Sequence, residues 1–406
     1  MLICAGALLE STEKIHRPGC LRIDREIITE VGSTLTPQAG EEVLHLPEIT
    51  LAPGWINLHA HLELASLHKK LTPGKDFTNW LEQLLSQLPA LTPEVRRQSI
   101  LNSTHLAALS GTTSILSILS QRAALAGLTS TQTRVWWALE MIDLHEKPSA
   151  TELLDQATSW ISRHPNAPWH LALSPHAPYT CSPALFRQLS LLSAQNHLPF
   201  TTHLAESTEE SELLAGLDTT LRKLLPADLK RPDLAEKNSP VSWCCQHDAL
   251  PANPILAHGN EISPTDLPFL KEKNATIVHC PSSHHWFQRK PFPFTTFQSQ
   301  QIPVVLGTDS PASSSNLGLD LRQEARLFQK AQPAVTPHQI WQMITTLPAQ
   351  ALGQGKTLGA LQPGRWADWV GWRVPLDQDP ISAILQSIEP AELTCVGGKI
   401  TQHEKI

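Results

Sequence analysis

Through the middle of the chain, short apolar runs of strand length alternate with stretches of helical periodicity. Eight such runs stand at 51–58, 112–119, 134–140, 169–174, 199–203, 254–258, 276–279 and 303–307, with predicted helices between them, such as 94–109 and 183–195. Strands alternating with helices predict a parallel sheet with covering helices. Eight repeats predict an α/β fold closed as a (β/α)₈ TIM barrel. The flanks read differently. Short strands are predicted at 2–5, 21–23 and 27–31, and again at 368–372 and 394–396, separated by Gly and Pro turns. This pattern divides the chain into a barrel over 51–357 and a small composite β-domain, a sandwich built from 1–50 together with 358–406. A segment rich in Pro, Lys and Asp, 216–253, reads as an insertion between strands five and six.

Polar residues break the apolar pattern at the C-terminal ends of the predicted strands, the face that carries chemistry in such barrels. The segment PGWINLHAHLE (53–63) sets His59 and His61 two apart on the first strand. Side chains alternate along a strand, so both rings point to one side and can reach one ion. Neutral imidazole is a common ligand of zinc and similar metals. Taken alone, the pair is equally well two unrelated histidines on one face. Strand five ends in His203, and Glu206 follows three positions later. These are a third ligand and a proton shuttle, or else a structural histidine and an acid at a helix N-terminus. Asp309, in LGTDS (306–310), reads as a ligand and proton acceptor, or as a helix N-cap. His258 and His279 end strands six and seven, and His176 lies in SPHAPYT (174–180). A lone strand-end histidine is more often structural. Here four of the eight predicted strands end in histidine, and that coincidence favours a site. Three imidazoles and a carboxylate, with one position left for water, suit a single divalent ion: zinc first, with iron(II) or manganese(II) accepted by the same donors.

Composition narrows the function without naming it. A hydrophobic share of 41% over 406 residues is enough for a large core. The net charge of -7 argues against a nucleic-acid or anionic-membrane surface, which needs clustered Lys and Arg. A single nucleoside remains compatible as a substrate. The opening MLICAGALLE lacks a basic n-region and reads as a first strand rather than a signal peptide. No apolar run approaches the roughly 20 residues that span a bilayer. The seven cysteines are odd in number and include no CxxC pair, which predicts reduced, unbridged thiols and a cytoplasmic protein.

The motifs PGWINLHAHLE, SPHAPYT, THLAES, LAHG, VHCPSSH and LGTDS stand in the order found in the amidohydrolase superfamily. The chain resembles its mononuclear metal-dependent deaminase branch, and LGALQPGRWAD (358–368) resembles that family's return into the composite β-domain. The resemblance implies metal ligands His59, His61, His203 and Asp309. It implies Glu206 as the acid that protonates the heterocycle, and His258 as the residue that hydrogen-bonds the attacking water. His176 matches a substrate contact. No lysine closes strand four, so the carbamylated bridge of binuclear members is not expected, and the implied cofactor is one divalent ion. A narrower resemblance, carried by HLELAS (61–66), FTNWL (77–81), HCPSSHHWF (279–287) and PFP (291–293), is to bacterial aminodeoxyfutalosine deaminases. Related deaminases of adenosylhomocysteine, methylthioadenosine and guanine more often carry Ser-Asn where this chain has Ser283-His284. This implies a small-molecule aminopurine nucleoside as the partner, held by His176, Glu206, His279, Trp80, Ser283 and His284. The implied reaction yields futalosine and ammonia, within menaquinone biosynthesis. A homodimer is common in the family. The substrate's benzoate would call for a cation. Arg289, Lys290 and Arg322 are candidates by position, each expected instead as a solvated surface charge.

Two readings of other kinds fit the residues less well. His61-Leu62-Glu63 matches half of the H-x-E…P-C-x-x-C pattern of cytidine deaminases, but the cysteine half is missing. Glu63 is therefore expected to orient other groups. A catalytically silent barrel with a binding role would have lost a ligand, and this chain keeps all four together with both proton-handling residues.

Overall fold

A computed structural model of the chain describes residues 1–74, 76–144, 148–163, 170–229 and 231–403. The strands run, in chain order, β1 (Leu2–Ser11), β2 (Lys14–His16), β3 (Gly19–Asp24), β4 (Ile27–Gly32) and β5 (Val43–Pro53). They continue as β6 (Trp55–Ala60), β7 (Thr112–Leu119), β8 (Arg134–Met141), β9 (His170–Pro175), β10 (Thr201–Leu204), β11 (Ile255–His258), β12 (Thr276–His279) and β13 (Val304–Leu306). The chain returns through β14 (Trp369–Trp372), β15 (Leu393–Val396) and β16 (Lys399–Gln402).

The strands of the middle region are short, and most are buried along their whole length, as parallel strands covered on both faces must be. They form two four-stranded parallel sheets, β6-β7-β8-β9 and β10-β11-β12-β13. The sheets meet at both edges through parallel bridges, Leu173 to Phe200 and Ala60 to Asp309. The covering helices start sharply because the sequence caps them. Thr92, Ser182, Ser239, Thr336 and Asp379 each accept a backbone N–H of the first turn, and a proline follows each. Proline has no N–H to lose there, and its φ already suits the helix.

The two termini meet in one eight-stranded sheet of order β16-β15-β14-β5-β1-β3-β4, with β2 on β1. The expected first strand at 51–58 is divided. Leu51–Pro53 ends β5 in the terminal sheet, and the site-bearing strand β6 starts at Trp55. The partner changes at Gly54, whose N–H donates to the Asp368 carbonyl while that of Trp55 donates to the Gly111 carbonyl, and a side chain at Gly54 would collide with Thr113. The predicted strand at 169–174 is found at His170–Pro175, and Trp169 lies outside the described residues. The insertion at 216–253 holds short helices, including Thr220–Leu224 and Pro240–Gln246. The expectation of unbridged thiols needs correction. Cys4 and Cys20 stand opposite each other on β1 and β3, with Cα atoms 4.2 Å apart, and are joined as a disulfide. Antiparallel register creates that pairing, and cysteine spacing does not reveal it. Among the described residues, no helix is long and apolar enough to cross a membrane.

Gly307 closes the last strand against the first. A Cβ there would lie 2.7 Å from Val278 Cγ1 and 3.1 Å from both the Cβ and the carbonyl oxygen of His59. Gly307→Ala should therefore cost about 1–3 kcal/mol through overpacking. It should also lower metal content, because the atom pushed aside belongs to His59. A melting curve and metal analysis would check both effects, and wild-type values in each would refute them.

Candidate metal centre and catalytic cavity

The candidate residues converge because their backbones are tied together. His59 lies on β6, and its carbonyl accepts from the N–H groups of Thr308 (3.1 Å) and Asp309 (3.0 Å). The N–H of His61 returns to the Asp309 carbonyl at 3.3 Å, and that of His203 donates to the His176 carbonyl at 2.9 Å. Several hinge positions are strained. Ala205, His258 and Asp309 have φ values of 53°, 76° and 55°, the left-handed region that side chains disfavour. Such conformations concentrate where a site over-determines its backbone.

The ring nitrogens are poised for a cation. His203 Nε2 and His61 Nε2 lie 3.3 Å apart, and Asp309 Oδ1 is 3.4 Å from His59 Nε2 and 3.5 Å from His61 Nε2. Ligand-to-metal bonds of about 2.0–2.1 Å in a tetrahedron give edges of roughly this length. His203 Nδ1 lies 3.2 Å from the His176 carbonyl, which can only accept. Nδ1 therefore carries the proton, and Nε2 presents its lone pair to the cluster. Both ring nitrogens of His59 are buried without a hydrogen-bond partner. Burial drives His61 down to about 3, and it also lowers His59 and His203, with neighbouring imidazoles adding to the effect. Burial alone would raise Asp309. The contact with His59, reinforced by His258 and His61, outweighs it and holds this carboxyl well below the usual range. Neutral imidazoles and an ionised carboxylate are the protonation states that a divalent metal requires. The residues present fit one.

Glu206 stands beside this cluster in the opposite state. Burial, and then the charge of Asp309, raise it to about 8, with Arg289 opposing. Its Oε2 is 3.8 Å from Nε2 of His258, an imidazole that burial lowers to about 4. Its backbone is clamped. The Glu210 carboxylate accepts the N–H groups of Ala205 (3.2 Å) and Glu206 (2.8 Å), and Asn260 Nδ2 donates to the Glu206 carbonyl at 3.0 Å.

A cavity of about 360 Å³ opens over these residues. His61, His203, Glu206, His258 and Asp309 form part of its lining, with His176 and Glu140 beside them. An apolar wall comes from α1 (Phe77–Gln87), where Trp80, Leu81 and Leu84 face it, and from Leu221 and Leu224 of the insertion. The hydroxyls of Thr78 and Thr220 bond at 2.8 Å and join these two elements.

Of the expected substrate contacts, Trp80, His176 and Glu206 line the cavity, whereas His279, Ser283 and His284 are not part of its lining. His279 stacks on Phe292 with centroids 3.8 Å apart. His284 Nδ1 pairs with Asn260 Oδ1 at 3.1 Å, so it reaches Glu206 only through Asn260. Glu63 accepts from the Ser120 N–H (3.0 Å) and the Ser120 hydroxyl, and pairs with Arg96 at 3.1 Å, which ties the loop after β6 to the end of β7. Arg289 is not the solvated charge expected. Its side chain is 6% exposed, packs on Phe77 and Phe287, and leaves Nε and Nη2 without hydrogen-bond partners. Lys290 is largely exposed, and Arg322 is buried against Asp320 and Trp372. Glu140, Glu210 and Asn260 were missed by the motif reading. An acid closing the apolar run of β8 was the available signal for Glu140.

Comparison with known proteins settles the family. Residues 50–401 match the amidohydrolase family profile. The chain belongs to the amidohydrolase family. It is 27% identical over 383 residues to the 5-methylthioadenosine/S-adenosylhomocysteine deaminase of Pyrococcus furiosus, covering 91% of this chain and 85% of that one. It is 28% identical over 219 residues to the aminodeoxyfutalosine deaminase of Deinococcus radiodurans, covering 51% of each. The crystal structure of Helicobacter pylori aminofutalosine deaminase with methylthio-coformycin superposes with a TM-score of 0.83 at 19% identity, covering 98% of this chain and 99% of that one.

Proposed function

We propose that this amidohydrolase hydrolyses the exocyclic amine of a 6-aminopurine nucleoside, with aminodeoxyfutalosine as the preferred substrate. The observation that carries the reading is a pair of carboxyls held in opposite states beside a four-donor cluster. Asp309 is ionised and can take a proton, while Glu206 holds one and can give it. His59, His61, His203 and Asp309 would hold one divalent ion, zinc being the first expectation, and that ion supplies Lewis-acid activation of water. Asp309 accepts a proton from the attacking water as its oxygen bonds to C6. Glu206 gives its proton to the ring nitrogen, which makes C6 more electrophilic. The neutral imidazole of His258 donates to the oxygen developing at C6. The proton of the C6 hydroxyl then passes to Glu206, the proton held by Asp309 passes to the amine, and the C–N bond breaks to release ammonia and leave a carbonyl at C6 with both carboxyls in their starting states.

The apolar wall of α1 and the insertion favours a nucleoside with an apolar or aromatic substituent over one ending in an amino acid. In this reading the middle of the chain, from Trp55 to about residue 357, forms a closed catalytic barrel, and the terminal sheet is its accessory domain. An ammonia-release assay on metal-analysed protein tests the proposal, with aminodeoxyfutalosine, methylthioadenosine, adenosylhomocysteine, adenosine and guanine as substrates. Aminodeoxyfutalosine should turn over fastest. Conversion of adenosylhomocysteine with none of aminodeoxyfutalosine would overturn the substrate, and silence on every purine would overturn the deaminase.

A further inference from the structure

Glu140 closes β8, and His176 follows the end of the neighbouring strand β9. Both line the catalytic cavity. An oxygen of Glu140 and a ring nitrogen from each of His176 and His203 lie within 4.8 Å of one another. That grouping looks at first like a second metal site, but its histidines are already committed. His203 gives its Nδ1 proton to the His176 carbonyl, and its Nε2 faces His61 Nε2. His176 Nδ1 lies 2.7 Å from the Thr180 hydroxyl, which donates its own proton to the Ala177 carbonyl at 3.1 Å. Thr180 must therefore accept from His176, so the Nδ1 of that ring carries the proton and its Nε2 is left as a bare acceptor.

Glu140 stands beside this acceptor on one wall, and no hydrogen bond or ion pair holds its carboxyl among the described residues. Burial, and then the charge of Glu63, raise that carboxyl to about 8, so at neutral pH it offers both an O–H donor and an acceptor oxygen. The nearby acid Glu63 differs, being held by Ser120 and Arg96. Vicinal hydroxyls, each able to donate and to accept, complement the pair of Glu140 and His176. Glu140 also stands at a junction. An adjoining groove of about 580 Å³ shares Ser120, Glu140 and Ile142 with the cavity. A molecule with its reacting end at the histidine cluster and a substituent in the groove must pass Glu140 with its middle portion.

We propose that Glu140, seconded by Nε2 of His176, reads the sugar hydroxyls of the substrate and so determines specificity for a ribosyl over a deoxyribosyl compound. This rests on the nucleoside reading above and adds the residue that selects the sugar.

The test compares adenosine with 2′-deoxy- and 3′-deoxyadenosine as substrates, and inosine with 2′- and 3′-deoxyinosine as ligands in calorimetry, which needs no turnover. Wild-type protein should prefer the ribosyl compound by about two- to tenfold over at least one deoxy analogue, the range for a hydrogen bond between uncharged groups. In Glu140→Ala that preference should collapse towards one. The loss should fall on the ribosyl compound and mainly on KM, with metal content unchanged. Glu140→Gln, which keeps an acceptor and the side-chain shape, should retain part of the preference. No hydroxyl preference in the wild type, or equal weakening of ribosyl and deoxyribosyl ligands by Glu140→Ala, overturns the inference. A hydroxyl preference in binding without ammonia from any purine would instead support Glu140 and overturn the deaminase.

Discussion

Glu206→Gln should keep its metal and lose about 10²–10⁴-fold in kcat, the usual worth of a positioned general acid. The side chain keeps its shape, and the backbone clamp by Glu210 and Asn260 does not involve it. What disappears is a proton held ready at neutral pH. The pH profile follows from the same shift. Burial and Asp309 raise this acid to about 8, so the competent, protonated form predominates below that value and is lost as pH rises through it. Activity should fall on the alkaline side, and the small residual activity of Glu206→Gln should lack that limb. A bound cation would draw the limb to lower pH without reversing its direction. Steady-state rates across pH, with metal analysis of both proteins, check the prediction. Full turnover in the variant would remove Glu206 from the reaction.

His203→Ala should empty the site. Its Nε2 is one corner of the cluster, 3.3 Å from that of His61. His258, the neighbouring imidazole, is needed for the attacking water and is not expected to replace it. Loss of a ligand's hydrogen-bond partner costs roughly 10–100-fold in metal affinity, and loss of the ligand itself should cost more. Protein purified without added zinc should carry little metal and release no measurable ammonia. A variant with full metal content and full turnover would remove His203 from the ligand set.

The sequence made some parts of this site legible and not others, for physical reasons. His59 and His61 were readable because strand side chains alternate, and Asp309 because it follows the last apolar run. The helix starts were readable because Ser, Thr or Asp followed by Pro caps a helix by local chemistry. Glu210 was not, since its work is to hold two N–H groups in a turn whose left-handed Ala205 no spacing announces. Arg289 follows a histidine-rich segment and looked like a surface charge, but Phe77, from a distant stretch of chain, packs on it together with the neighbouring Phe287. His279, Ser283 and His284 carried a motif, yet a motif records order along the chain and does not say which side chains face the cavity. The division of the first strand at Gly54 was hidden because both halves are apolar, and only their partners differ, Pro53 pairing with Trp369 and Trp55 with Thr112.

The terminal sheet has a consequence for the order in which the protein is made. β5 ends at Pro53 and pairs with β14, which begins at Trp369. A ribosome adding about 5–20 residues each second would therefore leave one edge of β5 without its neighbour for some tens of seconds. During that interval an open strand edge, a template for pairing with other chains, waits while the catalytic strands emerge and assemble. Protection of the nascent chain is thus tied to the arrival of β14, and a premature stop upstream of β14 should yield aggregates rather than a working barrel.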